Sequence, residues 1–144
     1  MTPGELDEFL RAEKTCRFAS VDREGRPHNV PLWFVWDGKA IWLSSLVTSQ
    51  RWRNLERDPR VSIVVDSGDT YGELRGVELS GSIEAVGEIP RTATEDPELA
   101  TPERLIGEKY EKYLSGNHLP DGRHAWLRMT PEKIVSWDFR KIGG

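Results

Sequence analysis

The side chains best suited to chemistry lie in one stretch, Leu43 to Asn54, which reads Leu-Ser-Ser-Leu-Val-Thr-Ser-Gln-Arg-Trp-Arg-Asn. An apolar strand ends in the hydroxyls of Ser44 and Ser45, crosses a short loop, and opens a helix at Thr48 or Ser49 with Arg51 in its first turn. The first amides of a helix have no intrahelical acceptor and carry the positive end of the macrodipole. An anion placed there therefore gains hydrogen bonds and charge complementarity together. Ser49 offers a hydroxyl donor, and Arg51 a guanidinium fork that matches phosphate oxygens. Taken alone, the same residues also describe an ordinary N-cap followed by a solvated arginine.

Other chemistries find little support. His28, His118 and His124 lack the i, i+4 spacing of a helical metal pair, and a single cysteine cannot build a thiolate site, so no metal centre is expected. Leu79-Ser-Gly-Ser-Ile is not a G-x-S-x-G elbow, and neither a Walker sequence nor a G-x-G-x-x-G loop occurs. Glu78 and Glu84 alternate along a strand and read as its solvated face, while Cys16 reads as a small buried residue. No side chain presents itself as an obligatory acid or base, which leaves the catalytic residues unassigned.

These residues need a scaffold, and the composition bounds it. The 144 residues suit one domain spanning 1–144, and 37% hydrophobic with 31% charged residues is the balance of a globular chain. No apolar run approaches the roughly 20 residues that cross a bilayer. The acidic start Met-Thr-Pro-Gly-Glu-Leu-Asp-Glu lacks the basic region of a signal peptide, so a cytoplasmic location is expected, and the lone cysteine agrees with it. A net charge of -4 argues against nucleic acid as a partner. Six tryptophans are many for this length and favour a core, an interface or a flat-ligand pocket.

Thr2-Pro3-Gly4-Glu5 forms a capping box, with Leu6, Phe9 and Leu10 on one face of a helix ending near Lys14. Strands are expected over Thr15 to Val21 and Pro27 to Trp36, joined by the turn Asp22 to Gly25. Asp37-Gly38 then leads to a strand from Lys39 to Ser44. The second of these strands is apolar on both faces from Val30 onward, so both must be covered, one by the barrel and the other by a ligand, a helix or a second subunit. Pro31 belongs at an edge, a bulge or an opening.

A helix from Ser49 to about Arg57 stops at Asp58-Pro59, and Val61 to Val65 is a buried strand. Ser67-Gly68-Asp69 turns the chain into a long strand from Val77 to Ala85, bent at Gly81. Gly87 to Thr101 reads as a polar, mobile loop, followed by a helix with Leu105, Ile106, Tyr110, Tyr113 and Leu114 that Gly116 ends. A last hairpin is expected from Ala125 to Met129, through Thr130-Pro131-Glu132, to Ile134 to Phe139. The pattern predicts a mainly β fold with interposed helices, a closed or nearly closed antiparallel barrel.

Several local sequences, in their order and spacing, resemble the pyridoxamine 5'-phosphate oxidase-like superfamily of flavin and deazaflavin split barrels. They are the run from Ala19 to Trp33, Trp42-Leu-Ser-Ser, the run from Ser49 to Ser62, Gly81-Ser-Ile-Glu, and Thr130-Pro-Glu-Lys-Ile-Val-Ser-Trp-Asp-Phe-Arg-Lys. The resemblance implies an antiparallel split β-barrel that forms a homodimer, with two cofactors in grooves between subunits. It further implies that His28, Asn29, Val30, Pro31 and Trp33 run along an isoalloxazine ring, partly through backbone groups. Ser44, Ser45, Ser49, Gln50 and Arg51 would take the phosphate, with Arg51 standing where many relatives have lysine. Trp33, or Trp137 of the partner subunit, would stack on the ring or line a substrate slot.

The resemblance also shows departures. The chain ends in Trp137-Asp-Phe-Arg-Lys-Ile-Gly-Gly, without the segment that holds pyridoxal phosphate in true vitamin B6 oxidases, and Gly76 stands where those enzymes use glutamine. What the resemblance implies is therefore an oxidoreductase passing hydride to a small organic molecule, with FMN as cofactor or F420 as the alternative. For F420, Arg53, Arg57 and Arg60 would meet the acidic tail, although they equally describe a solvated helix face. A flavin- or haem-binding or sensing protein without turnover, and a structural barrel whose tryptophans pack a dimer, are the competing readings.

Overall fold

A computed structural model describes residues 1–92, 94–110 and 121–142. Helix α1 (Pro3–Ala12) starts at the expected capping box: the Thr2 hydroxyl accepts from the Glu5 amide, and the Glu5 carboxylate accepts from the Thr2 amide. Its buried Phe9 and Leu10 lean on the barrel core. Strands β1 (Cys16–Val21) and β2 (Pro27–Leu32) form the hairpin expected at Asp22 to Gly25, with Val21 opposite Pro27 and Gly25 at φ 78°.

The strand expected from Pro27 to Trp36 is broken in two. β2 lies at one end of the sheet order, whereas β3 (Val35–Trp36) lies at the other and pairs with β4 (Ile41–Leu46). The cause is a side chain from far along the chain. The Tyr110 hydroxyl accepts from the Phe34 amide at 3.1 Å and sits 2.9 Å from the Phe34 carbonyl, replacing the ladder there. β2 is thus an edge strand, as Pro31 required, with its two outer residues Asn29 and Pro31 exposed.

Helix α2 (Gln50–Arg57) follows, then β5 (Arg60–Ser67), a turn at Gly68, and the twelve-residue β6 (Arg75–Val86). β7 (His124–Met129) and β8 (Lys133–Asp138) close the described chain. The order β2-β1-β5-β6-β7-β4-β3, with β8 also on β6, curls into an antiparallel half-barrel. One core cluster fills it, with Phe18, Ile41, Ile63, Leu79 and Met129 in the middle and Trp52 and Leu55 of α2 closing one end.

The hairpin expected from Ala125 to Phe139 is not one. β7 pairs with Ile83 to Val86 of β6 and β8 with Arg75 to Ser80, so the two run in line along β6 as one strand kinked at Thr130 to Glu132. A tight hairpin needs a residue at positive φ, and Thr130-Pro131-Glu132 supplies none. The kink sits against Gly81, where an added Cβ would lie 3.0 Å from the Thr130 carbonyl and 3.2 Å from the Glu132 amide.

The segment Gly87 to Thr101 also departs from the expected polar loop. It contains a short 3-10 turn, Pro97–Leu99, and runs into α3 (Ala100–Lys109). Arg91, only 4% exposed, binds both Glu103 oxygens at 2.7 and 3.0 Å as well as the Thr94 carbonyl, and the Trp126 indole donates to the same carboxylate at 3.1 Å. This anchor holds α3 on the outer face of the sheet, where Ile106 and Tyr110 pack with Val35, Trp42, Val86, Leu99 and Trp126. Tyr113, Leu114 and Gly116, expected in this helix, lie outside the described residues.

Arg91→Met leaves the Glu103 carboxylate half-enclosed without its cation, and a loss of about 3 kcal/mol in urea unfolding is expected. Adding Glu103→Gln, which keeps an acceptor for the Trp126 indole and removes the charge, is expected to recover a large part of that loss. Additive losses in the double variant would refute the pairing.

Candidate functional site

The site forms where β4 delivers its last residues to the start of α2. Ser49 is the N-cap, and its hydroxyl accepts from the Trp52 amide at 3.1 Å while donating to the Leu46 carbonyl at 2.9 Å. The single hydroxyl proton is here directed to the Leu46 carbonyl within the chain. What remains for an anion are the backbone N–H groups of Gln50 and Arg51, which have no acceptor among the described residues.

The Arg51 guanidinium is half-buried, and burial lowers its pKa from the usual arginine range. Its one side-chain bond runs from Nη2 to Ser45 Oγ at a long 3.4 Å, and among the described residues no carboxylate faces it. Arg91, the most buried arginine among the described residues, is treated differently: it has Glu103. A partly desolvated guanidinium with no carboxylate among the described residues, beside two amides without acceptors there, is suited to an anion.

Arg51 opens onto a cavity of about 270 Å³ lined by Phe18, Ser20, His28, Val30, Ser49, Gln50, Arg51 and Asn54. Its floor is two cross-strand pairs of the β1–β2 hairpin, Phe18 opposite Val30 and Ser20 opposite His28. Buried Asn54 accepts from the Gln50 side chain at 3.0 Å and so holds the first turn of α2 against that floor. His28 Nε2 lies 3.2 Å from Asp22, whose carboxyl is held below its ordinary range first by the Arg26 amide and then by His28.

The structure thus gathers His28, Val30, Ser49, Gln50 and Arg51 around one cavity and brings Ser45 to Arg51. Ser44 belongs to the opposite face of β4, where its Oγ is buried without a partner among the described residues. Asn29 and Pro31 occupy the other face of β2 from His28 and Val30. Trp33 lies beyond the end of β2, 43% exposed, and stacks on Tyr110 with centroids 4.3 Å apart and planes 12° apart.

Phe18, Ser20 and Asn54 escaped the sequence reading. The first two were available from the Asp22–Gly25 turn, which fixes the hairpin register, and the third from its i+4 spacing to Gln50. Gly76 lies opposite Trp137, and a Cβ there would come within 2.5 Å of the indole, so the glycine makes room for Trp137 of its own sheet. Arg53, Arg57 and Arg60 are all exposed, and Arg60 is engaged by Asp58 through bonds of 3.0 and 2.7 Å. Glu84 binds Arg128 at 2.6 Å, and burial pushes the Cys16 thiol up to about 12, so neither shows signs of reactivity.

The model of the family described as pyridoxamine 5'-phosphate oxidase matches residues 2–138. The conserved hypothetical protein Rv2991 from Mycobacterium tuberculosis is 32% identical, with a TM-score of 0.82 over 100% of this chain and 89% of that one. A structure titled F420 reductase is 22% identical, with a TM-score of 0.68 over 90% of this chain and 94% of that one. HutZ, the haem storage protein from Vibrio cholerae, is 19% identical, with a TM-score of 0.69 over 94% and 92% of the two chains. A search among curated proteins found no match. The last two solved structures, at these identities, speak for the fold alone.

Because Arg51 carries an unneutralised charge in a half-buried place, Arg51→Met is expected to raise the stability of the ligand-free protein by about 1 kcal/mol. Thermal and urea unfolding in phosphate-free buffer check this. A loss of stability would mean that Arg51 is a structural residue.

Proposed function

The chain belongs to the pyridoxamine 5'-phosphate oxidase family, and from that premise we propose that it is a cytoplasmic, homodimeric oxidoreductase that uses FMN to transfer hydride to a small organic molecule. The observation that carries this reading is Arg51: a guanidinium with no carboxylate among the described residues, next to the amides that open α2 without acceptors there, on the wall of a cavity. These residues fit a cofactor phosphate, a monoester in FMN and a diester in F420. The Gln50 and Arg51 amides and the Arg51 fork would hold the phosphate, and Ser45 would orient the fork. Bound there, a flavin or deazaflavin supplies the hydride chemistry.

This chain's own residues supply position and dryness. Phe18 and Val30 give the cavity an apolar floor, and His28 with Asp22 places one titratable group at its edge. The remaining site residues, Asn29, Pro31, Trp33 and Ser44, fall outside the cavity of one chain, which accords with a groove completed by a second copy. In support of that dimer, the edge strand β2 keeps Val30 and Leu32 only half-buried and is followed by exposed Trp33. The chain end around Trp137 is packed on Gly76, so vitamin B6 oxidation is not part of the proposal.

FMN is preferred to F420 because the arginines expected to meet an acidic tail dwindle to two: Arg60 is bound to Asp58, leaving Arg53 and Arg57. A second reading, a flavin- or haem-binding protein without turnover, is favoured by one observation. Besides Arg51, only His28 among the cavity residues carries a titratable side chain, which is a sparse set for catalysis.

Side-by-side titration of the purified protein with FMN and F420, followed by cofactor fluorescence, tests the proposal. Micromolar or tighter binding of FMN is expected, weakened roughly ten- to hundredfold in Arg51→Ala because a charge-assisted contact of about 1.5 to 3 kcal/mol is lost. Preference for F420 would transfer the proposal to that cofactor and give Arg53 and Arg57 a role. Binding of neither would end the redox reading, and binding without electron transfer to any acceptor tested would select the second one.

A further inference from the structure

Two residues on the wall of the Arg51 cavity carry hydrogen-bonding groups that the chain itself leaves unused. Ser20 is 6% exposed, and its hydroxyl has no partner among the described residues. Asn54 is 2% exposed and accepts from the Gln50 side chain at 3.0 Å, which engages Oδ1 and leaves Nδ2 without an acceptor there. Among the described residues the one fully enclosed side-chain atom without a partner is Ser44 Oγ. Ser20 Oγ and Asn54 Nδ2 therefore keep an opening, and the opening that both residues line is the cavity. Polar groups this deep are normally hydrogen-bonded, and here the cavity is where a partner can sit.

We propose that Ser20 and Asn54 form a hydroxyl-recognising subsite beside the Arg51 anion site, so that the cavity takes a phosphate carried on a polyol chain. This rests on the reading of Arg51 as the partner of a phosphate, and adds what adjoins that phosphate. Arg51 and Asn54 are three residues apart on α2 and so are neighbours on its surface. Ser20 shares one face of β1 with Phe18 and stands opposite His28. What meets Asn54 is therefore the part of the ligand next to its phosphate.

The donor and acceptor types narrow the chemistry of that part. Asn54 Nδ2 only donates, whereas the Ser20 hydroxyl donates and accepts, and an alcohol answers both because it does the same. Neither residue is charged, so neither calls for a second ion. Phe18 and Val30, paired across the hairpin, give the same cavity an apolar floor that suits the carbons of a chain. A sugar alcohol presents both kinds of surface. A plain alkyl chain would cover Ser20 and Asn54 without pairing them, and a site with polar groups left unpaired discriminates against the ligand that lacks the hydroxyls.

The test is calorimetric titration of the full-length protein with ribitol 5-phosphate and with n-pentyl phosphate, beside FMN itself. The first two share the phosphate monoester and the length of the carbon chain and differ in the hydroxyls. Ribitol 5-phosphate is expected to bind at least tenfold more tightly, and this ratio to fall about threefold or more in Ser20→Ala, which deletes a single heavy atom, and likewise in Asn54→Leu. Equal affinities, tighter binding of pentyl phosphate on the apolar floor, or binding of neither would overturn the subsite. A ratio left intact by Ser20→Ala would overturn its assignment to these residues, whether or not Asn54→Leu folds. The FMN arm separates this from the flavin reading. Preference for ribitol 5-phosphate without FMN binding supports the subsite and ends the flavin reading, whereas FMN binding without that preference overturns the subsite alone.

Discussion

The fold depends on one close backbone crossing, that of the Thr130 to Glu132 kink over Gly81. β6 is the strand both halves of the sheet share, and its two ends pair with different segments of what is in effect one long partner strand. The kink lets β7 turn towards β4 while β8 stays with the other half, and it requires that nothing project from β6 at position 81. Glycine meets that requirement, and Pro131 belongs at a break in a ladder because it has no N–H to leave unpaired. From this division follows the half-barrel, with β2 left at one edge and β3 at the other.

The second division, between β2 and β3, is enforced from a distance. Tyr110 sits at the end of α3, and its hydroxyl occupies the backbone groups of Phe34 that a continuous strand would have used. The helix is held in place by Arg91, buried between Glu103 and the loop that precedes α3. The pair ties the first turn of α3 to the preceding loop, since Arg91 bonds both Glu103 oxygens. Here it fixes where Tyr110 stands, and through Tyr110 it fixes where β2 ends and where Trp33 is presented.

Much of this was legible in the residues. The capping box at Thr2, the glycine turns at Gly25 and Gly38, the N-cap at Ser49 and the bend at Gly81 all rest on local chemistry that operates within a few residues. The misses share the opposite character. The continuity of Pro27 to Trp36 was broken by a tyrosine some seventy residues on. The supposed loop at Gly87 is anchored by an arginine whose partner lies twelve residues away. Thr130-Pro131-Glu132 carries a proline but no residue at positive φ, so it kinks a strand and closes no hairpin. In the candidate site the helix start, Arg51 and the alternation of Ser44 and Ser45 were visible, but the use of the Ser49 hydroxyl depends on where the Leu46 carbonyl ends up.

Side chains that break the usual rules of burial are the most informative. Nearly all buried side-chain polar atoms in the described chain are satisfied. The exceptions at the end of β4 and the start of α2 fall within eight residues of one another: Ser44 Oγ without a partner, the Gln50 and Arg51 amides without acceptors, and the Arg51 guanidinium without an anion. The Ser44 hydroxyl and the Arg51 guanidinium are the desolvated ones among these, and a desolvated polar group without a partner is unfavourable for a chain that stays alone. Local rules hold where only folding is at stake and are broken where a site must be kept open for something else. Because Ser44 and Ser45 belong to opposite faces of β4, the unsatisfied groups lie on both sides of the strand end. A small anion at Arg51 settles one side only.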